Sequence, residues 1–435
     1  MASCALAPSR HAHALGRTPV GGHLRVVLPW PLSSIDPHDL GDPGAALFGH
    51  ALFDPLFALD ASGEPYPTLA AAAPAEERGH TVLRLREGLL SARGAPLTAR
   101  DALFSLMRAR AAGASAWWGT LPLPALDPRD PLALVFAACD SARLARTLTS
   151  PLFALVPRAF HPAEPDGTGA LSAELTPGRM VLTRNLNAAR GASFLDAITI
   201  DRAVDLADSL RAFEGNLSEI GWLGAGLHAP RPSAVLFDCG AAAFITMHTG
   251  KEAGPWHAPG TAQRLADGLA PERLQQFALG PPLTGAATGV GWGAKPCELL
   301  LQEGSPYLEA LASTIASLIT RPGHEVTPKP LPAAELARRR RSSAYSLMLG
   351  VVRPFDASAL GALTALTAAE NPSAALVAMQ HPPRGDLDPR VITRTLRIGV
   401  LGDLRVMGAH VPALRLARGP GRGGWDLASS FMASV

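Results

Sequence analysis

Between Thr81 and Arg110 the hydrophobic pattern of this chain changes period. Thr81, Leu83 and Leu85 alternate with Val82, Arg84 and Arg86, the period of two expected of a half-buried strand. From Ala102 to Arg110 the spacing turns helical, with Leu103, Leu106 and Met107 on one face. Just before that run, Thr98-Ala-Arg-Asp101 sets a hydroxyl and a carboxylate three apart, as a capping box does. The alternation recurs late in the chain. Ser305-Pro306 opens a helix whose Leu308, Leu311, Ile315 and Leu318 form one stripe, and Pro322-Gly323 stops it. A strand near 324–327, a short helix and the apolar run 346–352 follow. Such a chain buries its apolar faces by laying helices against a sheet, so a mixed α/β fold is expected.

Other segments fit that scheme. Leu24–Leu28 is a short β-rich run closed by Pro29, and 179–184 and 197–200 read as further strands. Residues 45–59 read as a helix leading into a short strand that ends at the turn Asp60-Ala-Ser-Gly63. Between Val204 and Glu214, Leu206, Leu210 and Phe213 recur at helical spacing before Gly215. At about 150 residues per unit, 435 residues suggest roughly three units. The 42 glycines and 40 prolines are spread along the chain, which indicates many short connections.

Composition excludes several function classes. With 47% apolar and 17% charged residues the chain is globular, and a net charge of +2 gives no basis for nucleic-acid binding. Only Arg338–Arg341 is densely basic. It follows the helix-like Pro332–Ala337 and reads as a solvated helix end, an anion site being the alternative. Cys4, Cys139, Cys239 and Cys297 are far apart and form no metal-ligand pair. No apolar run reaches the roughly 18 residues of a membrane helix. Residues 1–19 have no continuous apolar core of a secretory signal, and His11 and His13 read as solvated. Met1-Ala-Ser-Cys4 resembles the end of a lipoprotein signal, the alternative being a leader with an incidental cysteine.

The sequence has no HExxH, GxSxG, GxxxxGK[ST] or helix-opening GxGxxG, and its histidines and acidic residues show no convincing metal or triad spacing. Gly289-Val-Gly291-Trp-Gly293 reads as a loop. No catalysis, cofactor or metal is expected. The tryptophans are more informative: Trp30, Trp117, Trp118, Trp222, Trp256, Trp292 and Trp425 mostly stand beside Gly or Pro, where loops form, and loop aromatics line ligand clefts.

Several segments, in order, resemble the family 5 extracellular solute-binding proteins, the dipeptide, oligopeptide and nickel receptors of ABC importers. Gly21-Gly22-His-Leu24-Arg with Ile35-Asp36-Pro37 is similar to that family's opening strand and Leu-Asp-Pro turn. Ala51–Phe57, Asp60–Gly63 and Pro67-Thr-Leu-Ala70 follow its next stretch. The most specific block is Gly94-Ala-Pro-Leu-Thr98-Ala-Arg-Asp101-Ala-Leu-Phe-Ser105. Gly167-Thr-Gly169-Ala-Leu, Leu182-Thr-Arg-Asn185 and Phe194-Leu-Asp-Ala-Ile198 resemble the turn and strands beyond it. The likeness covers most of 21–235 and continues more weakly to about 356.

The resemblance implies a two-lobed periplasmic binding protein-like fold of type II with an additional small α+β domain. The first lobe is expected from 20–50, 155–235 and 400–435, the added domain from 51–154, and a reduced second lobe from 236–399. It further implies a monomer on the periplasmic side or outer face of the membrane that delivers a peptide or other small solute to permease subunits. The ligand is held between lobes by hinge closure. Trp30, Trp222, Trp292, Arg353, Phe355 and Asp356 are the expected cleft residues. Three features depart from the family. Residues 251–298 lack its helix followed by an Asp-Arg segment, and no export signal is seen. The acidic residue that binds a peptide amino terminus has its nearest equivalent in Gly350-Val-Val-Arg353-Pro-Phe355-Asp356, where Asp356 is displaced and Arg353 intervenes. A descendant that keeps the fold without transport is the alternative reading.

Overall fold

The computed structural model describes residues 20–222, 231–279, 290–380, 389–419 and 424–433. The readings at Cys4, His11 and His13 lie outside them. The chain builds one ten-stranded sheet. In chain order its strands are β1 (His23–Leu28), β2 (Leu171–Thr176), β3 (Arg179–Arg184), β4 (Ala197–Arg202) and β5 (Ile220–Trp222). Then come β6 (Val235–Thr249), β7 (Cys297–Gln302), β8 (Val326–Leu331), β9 (Leu347–Val352) and β10 (Ile398–His410). Their spatial order is β8-β7-β9-β6-β10-β5-β1-β4-β3-β2.

That order divides the sheet. β1 pairs in parallel with β4 and β5, while β3 and β2 close the first-lobe edge antiparallel. β7 pairs in parallel with β8 and β9 at the other edge. Among the described strands, β6 and β10 alone cross from one lobe to the other, paired antiparallel with each other from Val235–His410 to His248–Ile398. At 15 and 13 residues they are long enough to serve both halves. The register between them shifts three times, at Asp238/Ala241, Ala241/Ala243 and Ile245/Thr246. Each irregularity bends and twists the ribbon where the lobes join.

Helices cover the sheet as the periodicity requires. Asp42 caps α1 (Pro43–Leu52) by accepting from the Ala45 amide at 2.9 Å. Helix α2 (Ala99–Ala109) begins at Thr98, whose amide donates to the Asp101 carboxylate at 2.9 Å. Its inner face differs from the expected one: Leu106 is buried, but Met107 is 42% exposed. Ser105 takes an inward position instead, its hydroxyl accepting from the Val156 amide at 2.9 Å and donating to the Asp101 carbonyl at 2.8 Å. The helix before Gly215 starts only at Asp208, and Val204 lies exposed ahead of it. In α3 (Pro306–Ile319) Ser305 caps the first turn, and Leu308, Leu311 and Ile315 are buried as expected. Two further helices, α4 (Ala333–Ser342) and α5 (Ala359–Glu370), flank β9 in the chain.

One core runs under both lobes, joining Leu24, Val26 and Ile200 to Leu299, Leu311 and Leu349. A second core holds the small α+β domain, a four-stranded sheet carrying α2. It ties Leu83, Leu106 and Phe136 to Phe244, Val352, Phe355 and Val400 of the large sheet and the loop after β9.

The Gly-Thr-Gly turn is packed closely against the end of α1. Gly169 donates its amide to the Leu52 carbonyl at 3.0 Å, at the end of α1, and Thr168 donates to Asp54 at 3.1 Å. A Cβ on Gly167 would overlap the Leu52 carbonyl oxygen, and one on Gly169 that of Ala51. Gly169→Ala is therefore expected to lower unfolding free energy by roughly 1–3 kcal/mol, as overpacking does. Denaturant titration checks this, and an unchanged midpoint would contradict the packing.

Candidate functional site

The lobes meet on two sides of the crossing strands. On the first, β1 ends at Leu28 and the Pro29 carbonyl accepts the Tyr307 amide of α3 at 3.1 Å. Trp30 then stacks on Tyr307, with ring centroids 4.6 Å apart and planes at 25°. Trp222, at the end of β5, meets Trp30 edge-on at 6.5 Å and Trp425 at 6.4 Å. Such aromatic contacts contribute about 0.5–1.5 kcal/mol each beyond their buried area. The Tyr307 hydroxyl donates to the Phe277 carbonyl at 2.6 Å, and its burial raises the phenol pKa. Trp30 is fully buried, yet its indole Nε1–H has no hydrogen-bond partner. A buried donor left this way costs about 1–3 kcal/mol, so the junction keeps an unused polar position.

On the second side, the first-lobe loop 36–42 is held by arginines from two directions. Arg353, just beyond β9, donates Nη1 to the Pro37 carbonyl at 2.9 Å and the Asp39 carbonyl at 3.1 Å. Its amide donates to the Leu40 carbonyl at 2.8 Å. Burial lowers the guanidinium pKa, while Asp42, Asp39 and Asp36 oppose that shift. From the small domain, Arg108 of α2 forks onto Asp36 with two 2.6 Å bonds and reaches His38 Nδ1 at 3.0 Å. Burial raises the Asp36 carboxyl, but bonding to Arg108 outweighs it and the net shift is downward. Burial takes His38 down to about 4. Asp42 is pushed up to about 7 by burial and then by Asp39.

The structure thus brings Trp30, Trp222 and Arg353 to the junction and places the other three expected residues elsewhere. Trp292 lies inside the second lobe, its indole donating to the Lys295 carbonyl at 2.8 Å and its ring 5.0 Å from Trp256. Phe355 turns toward the small domain and stacks on Trp117 at 5.4 Å. Asp356 accepts the Ser358 amide at 2.9 Å, and Ser358 in turn caps α5. That carboxylate serves a local turn. Sequence reasoning missed Tyr307 as a site residue, because it sits at a helix start and looks like one more core aromatic. It also missed the loop carbonyls, which carry no side-chain signal.

A cavity of about 540 Å³ opens on the small domain between Thr98, Arg100, Asp127 and Arg158, away from this junction. The Asp101 carboxylate beside it already accepts the Arg158 amide at 3.1 Å. Among the described residues no group of three His, Cys, Asp or Glu could hold a metal, and no helix is long and apolar enough to cross a membrane.

No protein-family model matches the sequence, and no curated protein does. Solved structures match over nearly the whole chain. The pheromone receptor PrgZ, described with its mode of peptide binding, superimposes with a TM-score of 0.70 at 11% identity, over 96% of this chain and 100% of that one. The oligopeptide-binding protein AppA from Bacillus subtilis, in complex with a nonapeptide, gives 0.69 at 13%, over 96% and 100%. NikA from Staphylococcus aureus, in complex with Ni(L-His)2, gives 0.64 at 13%, over 94% and 99%. The chain has the periplasmic binding protein-like fold that its resemblance to family 5 implies.

Two predictions follow from the junction. Arg353→Met strands the Pro37 and Asp39 carbonyls in a buried site and should cost roughly 2–5 kcal/mol in a denaturant melt, while an unchanged midpoint would show that those bonds contribute nothing. The second concerns pH. His38 and His248 are held neutral by burial, down to about 4 and about 3, so the unfolded chain takes up their protons first below about 6.5. Stability is lost from these two groups as pH falls through that window. Asp42 acts oppositely: its native carboxyl keeps a proton between about 4 and about 7 that the unfolded chain releases, so its contribution falls as pH rises. His248→Gln should therefore flatten the fall of melting temperature between pH 6.5 and 4.5. Parallel curves for variant and wild type would contradict the burial of His248.

Proposed function

We propose that this chain is a member of the family 5 solute-binding proteins and serves as the binding component of an ABC importer. It holds a peptide or other small solute between its lobes and catalyses nothing. The observation that carries the reading is the crossing pair β6 and β10: it is the sheet's sole link between lobes, and the site residues stand on either side of it. Hinge closure about such a link is an established transition in this fold.

Opening would part Tyr307 from Trp30 and Arg353 from loop 36–42, exposing two aromatic faces, the unpaired Trp30 donor and the backbone carbonyls of Pro29, Pro37, Asp39 and Leu40. Aromatic walls with a few convergent polar groups suit a small solute. Backbone carbonyls suit ligands with varied side chains, as peptide recognition by main-chain bonds does. Capture of a free amine by Asp356 is not supported, because that carboxylate is engaged with Ser358. In this reading the protein works at the periplasmic side or outer face of the membrane as a monomer that docks on permease subunits.

A second reading has one observation in its favour. Arg353 satisfies first-lobe carbonyls with the chain's own guanidinium, as a descendant that no longer transports would do to hold its lobes together. A thermal-shift screen of peptides, opines, sugars and metal complexes separates the two. A bound solute at 100 times its Kd should stabilise the protein by about 2.7 kcal/mol and change tryptophan emission, since Trp30 and Trp222 both stand at the junction. No shift across those classes, with the protein confined to the cytoplasmic fraction, would favour the second reading.

A further inference from the structure

The basic run Arg338–Arg341 does not act as one unit. Arg338 and Arg339 pair with Glu335 of their own helix, and Arg341 is exposed. Arg340 lies one turn beyond Leu336, the residue by which α4 packs on Leu300, Tyr345 and Met348, so it shares the inward face. There its guanidinium sits between Gly41 of the first-lobe loop and Gly350 of β9, so close that a Cβ at either glycine would collide with it. Its Nε is buried without a hydrogen-bond partner, and among the described residues it forms no ion pair.

This arginine borders a cavity of about 150 Å³ lined also by His248, His257, Ser343, Tyr345 and Arg397. At about 30 Å³ per water the space holds roughly five waters, or one group of four or five heavy atoms. Glu370, the carboxylate on its wall, is already taken by Arg397, with bonds of 2.8 Å from Nη1 and 3.1 Å from the amide. Arg397 also donates to the His257 carbonyl at 2.8 Å, which fixes it in place. The last carbonyls of α4 are closed off: the Ser343 amide bonds Arg340 at 3.1 Å and the Ala344 amide bonds Arg339 at 3.2 Å. The wall is therefore left with one uncompensated positive charge.

We infer that this cavity binds a small oxyanion, a carboxylate, sulfate or phosphate group, with Arg340 as its charge partner and the Ser343 and Tyr345 hydroxyls as donors. A guanidinium suits such a group because its planar fork can bond two oxygens at once. Because Arg340 also touches Gly41, a bound anion fixes the first-lobe loop against the second lobe. The inference does not rest on the receptor reading.

Isothermal titration of the full chain with sodium sulfate, inorganic phosphate and sodium acetate, each against sodium chloride at equal ionic strength, tests it. At least one oxyanion should bind saturably. Arg340→Gln should weaken that binding at least tenfold, Arg340→Lys less, and Arg338→Gln not at all. Saturation by phosphate or sulfate points to a free inorganic anion, and saturation by acetate alone points to the acidic end of an organic solute. The proposal is overturned if none of the three binds the wild-type protein beyond chloride, or if Arg340→Gln and wild type bind alike. Should Arg340→Gln fail to fold, Ser343→Ala provides the second comparison, with weaker anion binding expected and unchanged binding counting against the site.

Discussion

The ladder between β6 and β10 is the constraint on which the rest of this structure depends. Every other strand pairing stays within one lobe or joins it to this ribbon. In β6 the residues from Ala243 to Thr249 are buried, while its first residues, Val235 and Leu236, are exposed. Pairing thus continues across the join while side-chain packing is concentrated at one end. Two of the register shifts, Asp238/Ala241 and Ala241/Ala243, fall between those ends, and the third, Ile245/Thr246, lies within the buried stretch. In the proposed function this join is where the lobes would rotate without unpairing either half of the sheet.

What locks the lobes is correspondingly local. Tyr307 on Trp30 and Arg353 on the loop carbonyls are contacts between residues far apart in the chain, 316 positions in the case of Arg353 and Pro37. Each covers polar groups that separation of the lobes would expose. Loop 36–42 is the element that feels both partners, because Arg108 fastens it to the small domain and Arg353 to the second lobe. The small domain is joined to the rest of the molecule both through this loop and through the core that it shares with Phe244, Val352 and Phe355.

These distances also explain how far the sequence could be read. The strand at 80–84, the cap at Thr98 and the start of α3 at Pro306 depend on neighbours within a few residues, and each is visible as a pattern; the Gly-Thr-Gly turn is visible too, although the Asp54 that Thr168 bonds lies 114 positions away. Met107 was expected on the buried face because it is apolar at the right spacing, but Ser105 took an inward position, its hydroxyl accepting from the Val156 amide and donating to the Asp101 carbonyl. Trp292 stands between glycines and Phe355 lies in the loop that the resemblance assigns to the cleft, yet Trp292 packs at a tilt on Trp256 and Phe355 stacks on Trp117 inside the protein. Tyr307 gave no sign at all. Its role comes from where β1 ends in space, which no local window contains. The run Arg338–Arg341 is intermediate: three of its members follow the solvated reading, and helical phase alone turns Arg340 inward.

The central claim is that the lobes move about β6 and β10 and close on a solute. Small-angle X-ray scattering tests it most directly. A compact chain of this length has a radius of gyration of about 22 Å. The account predicts a larger radius for the protein alone and a fall to about that value when a solute that raises its melting temperature is added. A radius already at about 22 Å without solute, and unchanged by any solute that binds, would contradict it.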